Sequence, residues 1–290
     1  MLYTGLRDEL FGVPGEWSIF ACTSSDCGHL HLWPHPDDLS AAYLHYYTHV
    51  RTQRAGLPRP LASVYRLWRT AIGLERARAR MSTLGLEDFP PGRLLDVGAG
   101  RGEMMARFAH LGWEVDGLEP DPLAANEAQE SYGFSILTES IEAAKLPGEQ
   151  YDAITLNHVI EHIEDPRAGL ENIRRALKRT GVLAIATPNA TSLGHKVYRS
   201  KWRGLEPPRH LNIFSPRSLQ ELLVQAGFRV TRLETVSANA EAITRSGLED
   251  SGRRRGSQRV EPFLLQHVEY LLRPALPQIG EEILVHAQRA

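Results

Sequence analysis

Cysteine is nearly absent: the chain has two, Cys22 and Cys27, in 290 residues. A chain of that length can bury a sizeable core without cross-links, so their scarcity excludes a disulfide framework. Long apolar runs are missing as well. None approaches the roughly 18 residues of a membrane-spanning helix, and the opening MLYTGLRDELFG has no basic start followed by an apolar stretch, so neither a span nor a leader is expected. Nor does one sign of charge dominate: 33 Lys and Arg stand against 35 Asp and Glu, a net of −2. That balance gives no whole-chain attraction for a phosphate backbone or anionic lipid. Internal repeats and low-complexity tracts are lacking too. The expectation is a cytoplasmic, enzyme-sized unit with a small-molecule partner and no nucleic-acid partner; subunit number is not legible.

What is present changes texture along the chain. Residues 1–60 are rich in proline, histidine and aromatics, with little helical period except in DDLSAAYLHYY, which predicts a short helix. This stretch reads as a small cap before a main domain over 61–290. From Val64, the residues Leu67, Trp68, Ala71 and Ile72 recur at helical spacing, with arginines opposite. They predict an amphipathic helix with a solvated basic face.

From Arg93, short apolar runs alternate with helical segments: RLLDVG, WEVDGLEP, FSILTES, YDAITLN and GVLAIATPN, with helices over 103–111, 121–132 and 166–178. That alternation predicts an α/β fold, a parallel doubly wound sheet. GFRVTRLETV and EEILVHAQR add two strands. Between them, at about 240–275, lies a helical insertion: a polar stretch holding Arg253, Arg254 and Arg255, read as a loop, then EPFLLQHVEYLLRP. Leu264, Val268, Leu271 and Leu272 fall on one face of that helix, expected to pack on the sheet edge.

The stretch RLLDVGAGRGEM places Gly98, Gly100 and Gly102 between a strand and a helix. Such a loop lets backbone approach a ligand closely, and the helix N-terminus offers unpaired N–H groups. A dinucleotide fingerprint would have its third glycine where this chain has Glu103, and a carboxylate at that turn suits a pyrophosphate poorly. Glu119 closes the next strand, where an acid can accept both hydroxyls of a ribose. Asp96 adds a carboxylate suited to an amino group. S-adenosylmethionine has the amino group, a sulfonium charge and the ribose, and no phosphate; it is the cofactor this constellation predicts. A nicotinamide-dependent oxidoreductase shares the ribose acid but is disfavoured by Glu103, and a non-catalytic S-adenosylmethionine-binding protein is a further rival.

The run LLDVGAGRGEMMARFAHLGWEVDGLEPD resembles the nucleotide-binding half of class I S-adenosylmethionine-dependent methyltransferases, with D-x-G-x-G-x-G intact at Asp96, Gly98, Gly100 and Gly102. YDAITLNHVIEHIEDP is similar to the segment after their fourth strand. The stretch from ATPNATSLG to LVQAGF resembles the branch of ubiquinone-pathway O-methyltransferases and bacterial sugar methyltransferases. The resemblance implies a seven-stranded sheet of order 3-2-1-4-5-7-6 with EEILVHAQR as the antiparallel seventh strand. It implies adenine contacts from Ser140 and Ile141, with Asn157 and His158 near the methionine part and Ala99 and Pro120 completing the pocket beside their neighbours. The implied activity is methyl transfer, most directly to oxygen of a sugar-like or natural-product small molecule, with carbon and nitrogen acceptors open.

Methyl transfer from a sulfonium needs an aligned nucleophile and, for a hydroxyl, a proton acceptor. In LEPPRHLNIFS two prolines fix a loop before a helix capped by Ser215 and Pro216, which presents Arg209 as a substrate contact and His210 as the candidate base. Trp202 is the candidate wall of the acceptor pocket. His158 and His162 stand four apart, but no H-E-x-x-H accompanies them and the resemblance makes them part of a structural turn, so no metal is expected there. ACTSSDCGHLHLWPHP resembles the second half of a zinc ribbon. His29 and His31 could join Cys22 and Cys27 around zinc, yet residues 1–21 supply no first cysteine pair, and a remnant ribbon without metal is the expectation.

Overall fold

A computed structural model of the chain describes residues 1–36, 42, 70, 73–238 and 261–290. The helix expected in DDLSAAYLHYY, most of the one expected from Val64, the boundary at 60 and the arginines 253–255 lie outside the described residues. The helix Leu74–Met81 continues the Val64 pattern and buries Leu74 and Met81.

Eleven strands are described: β1 Tyr3–Leu6, β2 Trp17–Ala21, β3 Leu30–Trp33, β4 Arg93–Val97, β5 Glu114–Leu118, β6 Ile136–Leu137, β7 Tyr151–Asn157, β8 Leu177–Pro188, β9 Asn212–Ile213, β10 Phe228–Val236 and β11 Glu282–Arg289. Seven form the main sheet in the order β10-β11-β8-β7-β4-β5-β6. β6, β5, β4, β7 and β8 run parallel, whereas β11 is antiparallel to both β8 and β10. This is the order 3-2-1-4-5-7-6 expected from the resemblance. Helices α1 Glu103–His110, α2 Pro122–Tyr132 and α3 Pro166–Ala176 connect the parallel strands. Asp121 and Asp165 cap the last two through backbone N–H groups, each followed by proline in the first turn.

Alternation along the strands divides the core in two. Leu95, Val97, Ile154, Leu156, Leu183 and Ile185 face one layer, while Leu94, Ala153, Val182, Ala184 and Ala186 face the other. Helix α3 ends at Ala176, two residues before its expected end. The carbonyls of Arg175 and Ala176 are taken by the amides of Glu149 and Gln150, and Leu177 already pairs with Tyr151.

The described part of the cap is a sheet of its own, in the order β1-β2-β3-β9. Its last strand comes from the segment just past His210, so Leu30 pairs with Ile213 and His31 with Asn212. The cap and that segment share a core of Trp17, Ile19, Leu32, Trp202, Leu211 and Ile213.

Helix α4, Glu261–Leu272, reverses one expectation. Val268 and Leu271 are exposed, at 45% and 68%, while Gln266, His267 and Glu269 are buried. The buried face is polar because it satisfies the end of β10: the Gln266 amide donates to the carbonyls of Ser237 and Ala238, at 2.7 and 2.9 Å, and Glu269 accepts from the Ser237 hydroxyl at 2.9 Å.

Candidate functional site

The glycine loop leaves β4 with Gly98, Gly100 and Gly102 all at positive φ, 69°, 52° and 79°, a region that costs other residues about 1–2 kcal/mol. Space is short too. A Cβ on Gly98 would lie 2.4 Å from Val159 Cγ2, and one on Gly102 would lie 3.0 Å from the Ala128 methyl on α2. The amides of Gly98 and Ala99 donate to the Leu118 carbonyl at 2.7 and 3.0 Å. Gly102 caps α1, whose first residue is Glu103.

Glu119 closes β5 and folds back onto the loop. One carboxylate oxygen accepts from the Gly100 amide at 2.8 Å and the other from the Asp121 amide at 3.0 Å. These two bonds fix the orientation of the carboxylate against the loop. Asp96 is different: it is 2% exposed and accepts from Thr155 Oγ1 at 2.6 Å. Burial, opposed by the Thr155 bond and aided by the Glu119 charge, pushes its pKa up to about 7. The bond to Thr155 braces Asp96 against the neighbouring strand beneath the loop. Pro120 is exposed at the loop's rim and Ala99 is buried. Of the adenine pair, Ser140 starts a turn whose amides at Ala143 and Ala144 donate to its carbonyl. The Ile141 side chain is core, so only its backbone is available to a ligand.

Asn157 ends β7, and the chain then turns sharply at His158, a non-glycine residue at φ 56°. Its amide is anchored to the Ala186 carbonyl at 2.8 Å. Its ring bridges two buried acids: Nε2 lies 2.8 Å from Glu282 and Nδ1 lies 3.3 Å from Glu161. Burial alone would lower its basicity, but the two carboxylates outweigh it and raise the pKa to about 10. Glu161 also accepts from Thr187 Oγ1 at 2.9 Å. Burial would raise its pKa, and the histidines around it bring it down to about 2. Strained backbone and a buried charge network are features that gather at functional sites.

The loop after β8 lies beside this turn. His210 is 4% exposed; its Nδ1 donates to the Gly204 carbonyl at 2.8 Å and its ring meets His162 edge to face, centroids 4.7 Å apart. Burial lowers its pKa to about 4, against the pull of Glu206 and Glu161. So placed, the imidazole is neutral but a weak acceptor for a hydroxyl proton. Arg209 leaves the set of substrate contacts. Its side chain is wholly buried, both terminal nitrogens meet Asp8 at 2.9 and 2.8 Å, and its Nε meets Glu206 at 3.0 Å. It also stacks on Phe11 at 4.5 Å and ties the cap to the loop. Trp202 likewise turns inward: it is 3% exposed, stacks on His195 at 4.8 Å and donates its indole N–H to Glu281. It packs in the core that the cap shares with the segment after β8.

Sequence reading missed Glu161, Glu282 and Asp8. Glu161 sat between two histidines that were singled out, and its burial is the signal that was absent. Glu282 and Asp8 have no local signature. In the cap, Cys22 is exposed and both thiols are free. His29 packs on Phe214 at 5.1 Å. Among the described residues, the group of three potential ligands able to meet one ion is Glu161, His162 and His210, not the cysteine cluster.

Comparison with known proteins adds the following. A family model described as a methyltransferase domain matches residues 67–233. A ubiquinone biosynthesis O-methyltransferase of Cereibacter sphaeroides is 32% identical over 147 residues, 47% of this chain and 59% of that protein. The chain thus spans about three fifths of the length of that relative. An S-adenosylmethionine-dependent methyltransferase from Archaeoglobus fulgidus superposes with a TM-score of 0.52 at 21% identity, covering 78% of this chain and 99% of that one. The cyclase SpnF superposes with a TM-score of 0.51 at 17% identity, covering 73% and 81%. At these identities the structures establish the fold, and a cyclase among them shows that the fold alone does not fix the reaction.

Proposed function

The chain belongs to the class I S-adenosylmethionine-dependent methyltransferases, and from that premise we propose that it transfers the methyl group of S-adenosylmethionine to an oxygen of a small molecule, sugar-like or natural-product in kind. The observation that carries this reading is the loop of three positive-φ glycines held open by Glu119, with Glu103 where a pyrophosphate site would want glycine. In this reading Gly98, Ala99, Gly100 and Gly102 lie against the cofactor, Glu119 takes the ribose hydroxyls, and Pro120, Ser140 and the Ile141 backbone border the adenine. Asn157 and His158 flank the methionine portion. The acceptor enters between the turn after β7 and the loop carrying His210, under the cap. The imidazolium of His158, held between Glu161 and Glu282, fixes that turn.

Methyl transfer is an in-line displacement in which the sulfonium is the leaving group, so the protein mainly aligns and desolvates. Oxygen is the proposed acceptor atom because the named relative is an O-methyltransferase. Calorimetry tests the cofactor. S-adenosylhomocysteine should bind one per chain and NAD should give no heat, with Glu119→Ala weakening the former at least tenfold. Heat from NAD alone would reverse the assignment. A screen of hydroxylated acceptors with radiolabelled methyl donor tests the transfer.

A further inference from the structure

The two cysteines of the chain fall on one hairpin tip. Cys22 follows β2, and its amide donates to the His29 carbonyl at 2.9 Å, so it stands across from the residue that leads into β3. Between the two the chain turns back, the Cys27 amide donating to the Ser24 carbonyl at 3.2 Å. That turn brings the side chains together: the Cys27 thiol donates to the Cys22 sulfur. Among the described residues no third metal ligand joins them.

The pair is unequal. Cys22 is exposed and Cys27 is half-buried. Hydrogen bonds from the Cys27 thiol and the Ser24 amide hold the Cys22 pKa below the ordinary thiol value, against the charge of Glu221. Burial, and then the Cys22 sulfur, push Cys27 up. An exposed thiolate is the nucleophile of thiol–disulfide exchange, and a neighbouring thiol in contact with it can resolve the mixed disulfide that results. A covalent bond of about 2.05 Å would replace a contact already made.

The tip is seated on the start of another element. The Cys27 carbonyl accepts from the Ser215 hydroxyl, and that hydroxyl accepts from the Ser218 amide at 3.0 Å, capping the helix Pro216–Gln225. Asp26 reaches Arg217 in the first turn of the same helix at 3.0 Å. Packing is close here: a Cβ on Gly28 would lie 3.0 Å from the Ser215 Cβ. Ser215 itself follows β9, which continues the loop that carries His210. A change of geometry at Cys27 therefore acts on the hydroxyl that holds the helix cap.

We propose that Cys22 and Cys27 form a reversible redox site, with Cys22 as the attacking thiol, Cys27 as the resolving thiol and a low-molecular-weight thiol disulfide, RSSR, as the oxidant, and that its state is transmitted to the helix cap at Ser215. The Cys22 thiolate attacks one sulfur of RSSR; that S–S bond breaks and its electron pair leaves on RS⁻. The Cys27 thiol passes its proton to this RS⁻, and its sulfur then attacks the Cys22 sulfur. The second RS⁻ is expelled and takes up the proton that Cys22 gave to solvent. Two protein thiols are oxidised and one RSSR is reduced to two RSH. No methyl donor or acceptor enters this chemistry, so it stands or falls apart from the methyl-transfer reading.

The test equilibrates the full chain in glutathione buffers of rising oxidised fraction, quenches with acid, alkylates the remaining thiols and reads the intact mass. The expected product is a single chain two hydrogens lighter than the reduced one, its fraction independent of protein concentration and reversed by dithiothreitol. Cys27→Ser should halt at the glutathione adduct on Cys22, and Cys22→Ser should react roughly tenfold more slowly than Cys27→Ser. A parent that stops at the adduct, a disulfide between chains, or a Cys22→Ser variant as fast as Cys27→Ser overturns the assignment. Should either variant fail to melt cooperatively, ring closure in the parent decides alone. Hydrogen exchange at the Ser218 amide, read in both redox states, tests the transmission: protection should differ several-fold, and equal protection overturns that half of the proposal.

Discussion

At the cofactor end, Gly100 meets Glu119 across 19 positions, within one strand–helix–strand unit. At the proposed acceptor end, Asp8 grips Arg209 across 201 positions, His158 meets Glu282 across 124 and Trp202 meets Glu281 across 79. The first site is mostly backbone shaped by glycine, with one carboxylate folded onto it. The second is a network of buried charges that exists only when the cap, the loop after β8 and the start of β11 are assembled. A site of the first kind leaves a motif in the sequence; one of the second kind leaves scattered acids and histidines.

The largest expected effect is at the acceptor end. Asp8→Asn leaves the Arg209 guanidinium buried with its main counter-charge gone, a loss of about 3–5 kcal/mol for broken pairs of this kind. Urea unfolding measures it, and a loss below about 1 kcal/mol would show the clamp to be dispensable. Burial works against the Asp8 carboxylate, yet Arg209 holds its pKa below the ordinary range. The stability this supplies is therefore full above the unfolded pKa and lost as pH falls through the folded one. Asp8→Asn should flatten the acid limb of the stability profile.

Gly98→Ala attacks the other end. The residue has φ 69° and a new methyl would lie 2.4 Å from Val159 Cγ2, so strain and overpacking together cost about 2–3 kcal/mol. Displacing Val159 also disturbs the turn toward Asn157 and His158, and S-adenosylhomocysteine affinity should drop at least tenfold by calorimetry. Unchanged affinity in the folded variant would detach the glycine loop from the cofactor.

A smaller effect lies in helix α4, at Glu269. Glu269 is buried, and burial together with the charge of Glu281 pushes its pKa up to about 9. The folded state holds this proton more tightly than the unfolded chain, so the stability it gives is full below the unfolded value near 4.5 and drains away as pH rises toward 9. Glu269→Gln keeps an acceptor for Ser237 and never ionises. It should be more stable than the parent at pH 8 and differ far less at pH 5, the gap widening by about 1.4 kcal/mol per unit of pH between. Equal melting temperatures across that range would remove the protonated-acid assignment.

Legibility in the sequence follows the same division. The alternation of strands and helices and the cap at Ser215 were readable because periodicity and turn chemistry are local, and the D-x-G-x-G-x-G run carries its conformation in its glycines; the strand order and the antiparallel β11 were legible only through the family resemblance. Arg209 was read as reaching for substrate because an arginine beside a histidine in a proline-fixed loop shows nothing of an aspartate near the other end of the chain. Trp202 was read as a pocket wall for the same reason. Asp96 shows in the sequence neither its burial nor its bond to Thr155 on the neighbouring strand. Only the assembled structure shows which charges are already spent.

Leu271, on the same helix, gives the smallest effect, and with Gln266 a direct test of that lesson. Periodicity alone set Val268 and Leu271 against the sheet edge, yet Leu271 is 68% exposed and Gln266 is buried. If burial decides, Leu271→Gln should change stability by no more than about 0.5 kcal/mol, as surface substitutions do. Gln266→Leu, which removes the donor for the carbonyls of Ser237 and Ala238, should cost about 1–3 kcal/mol. The order of the two costs is the discriminating quantity, because a helix rotated to bury its apolar stripe would make Leu271→Gln the damaging change.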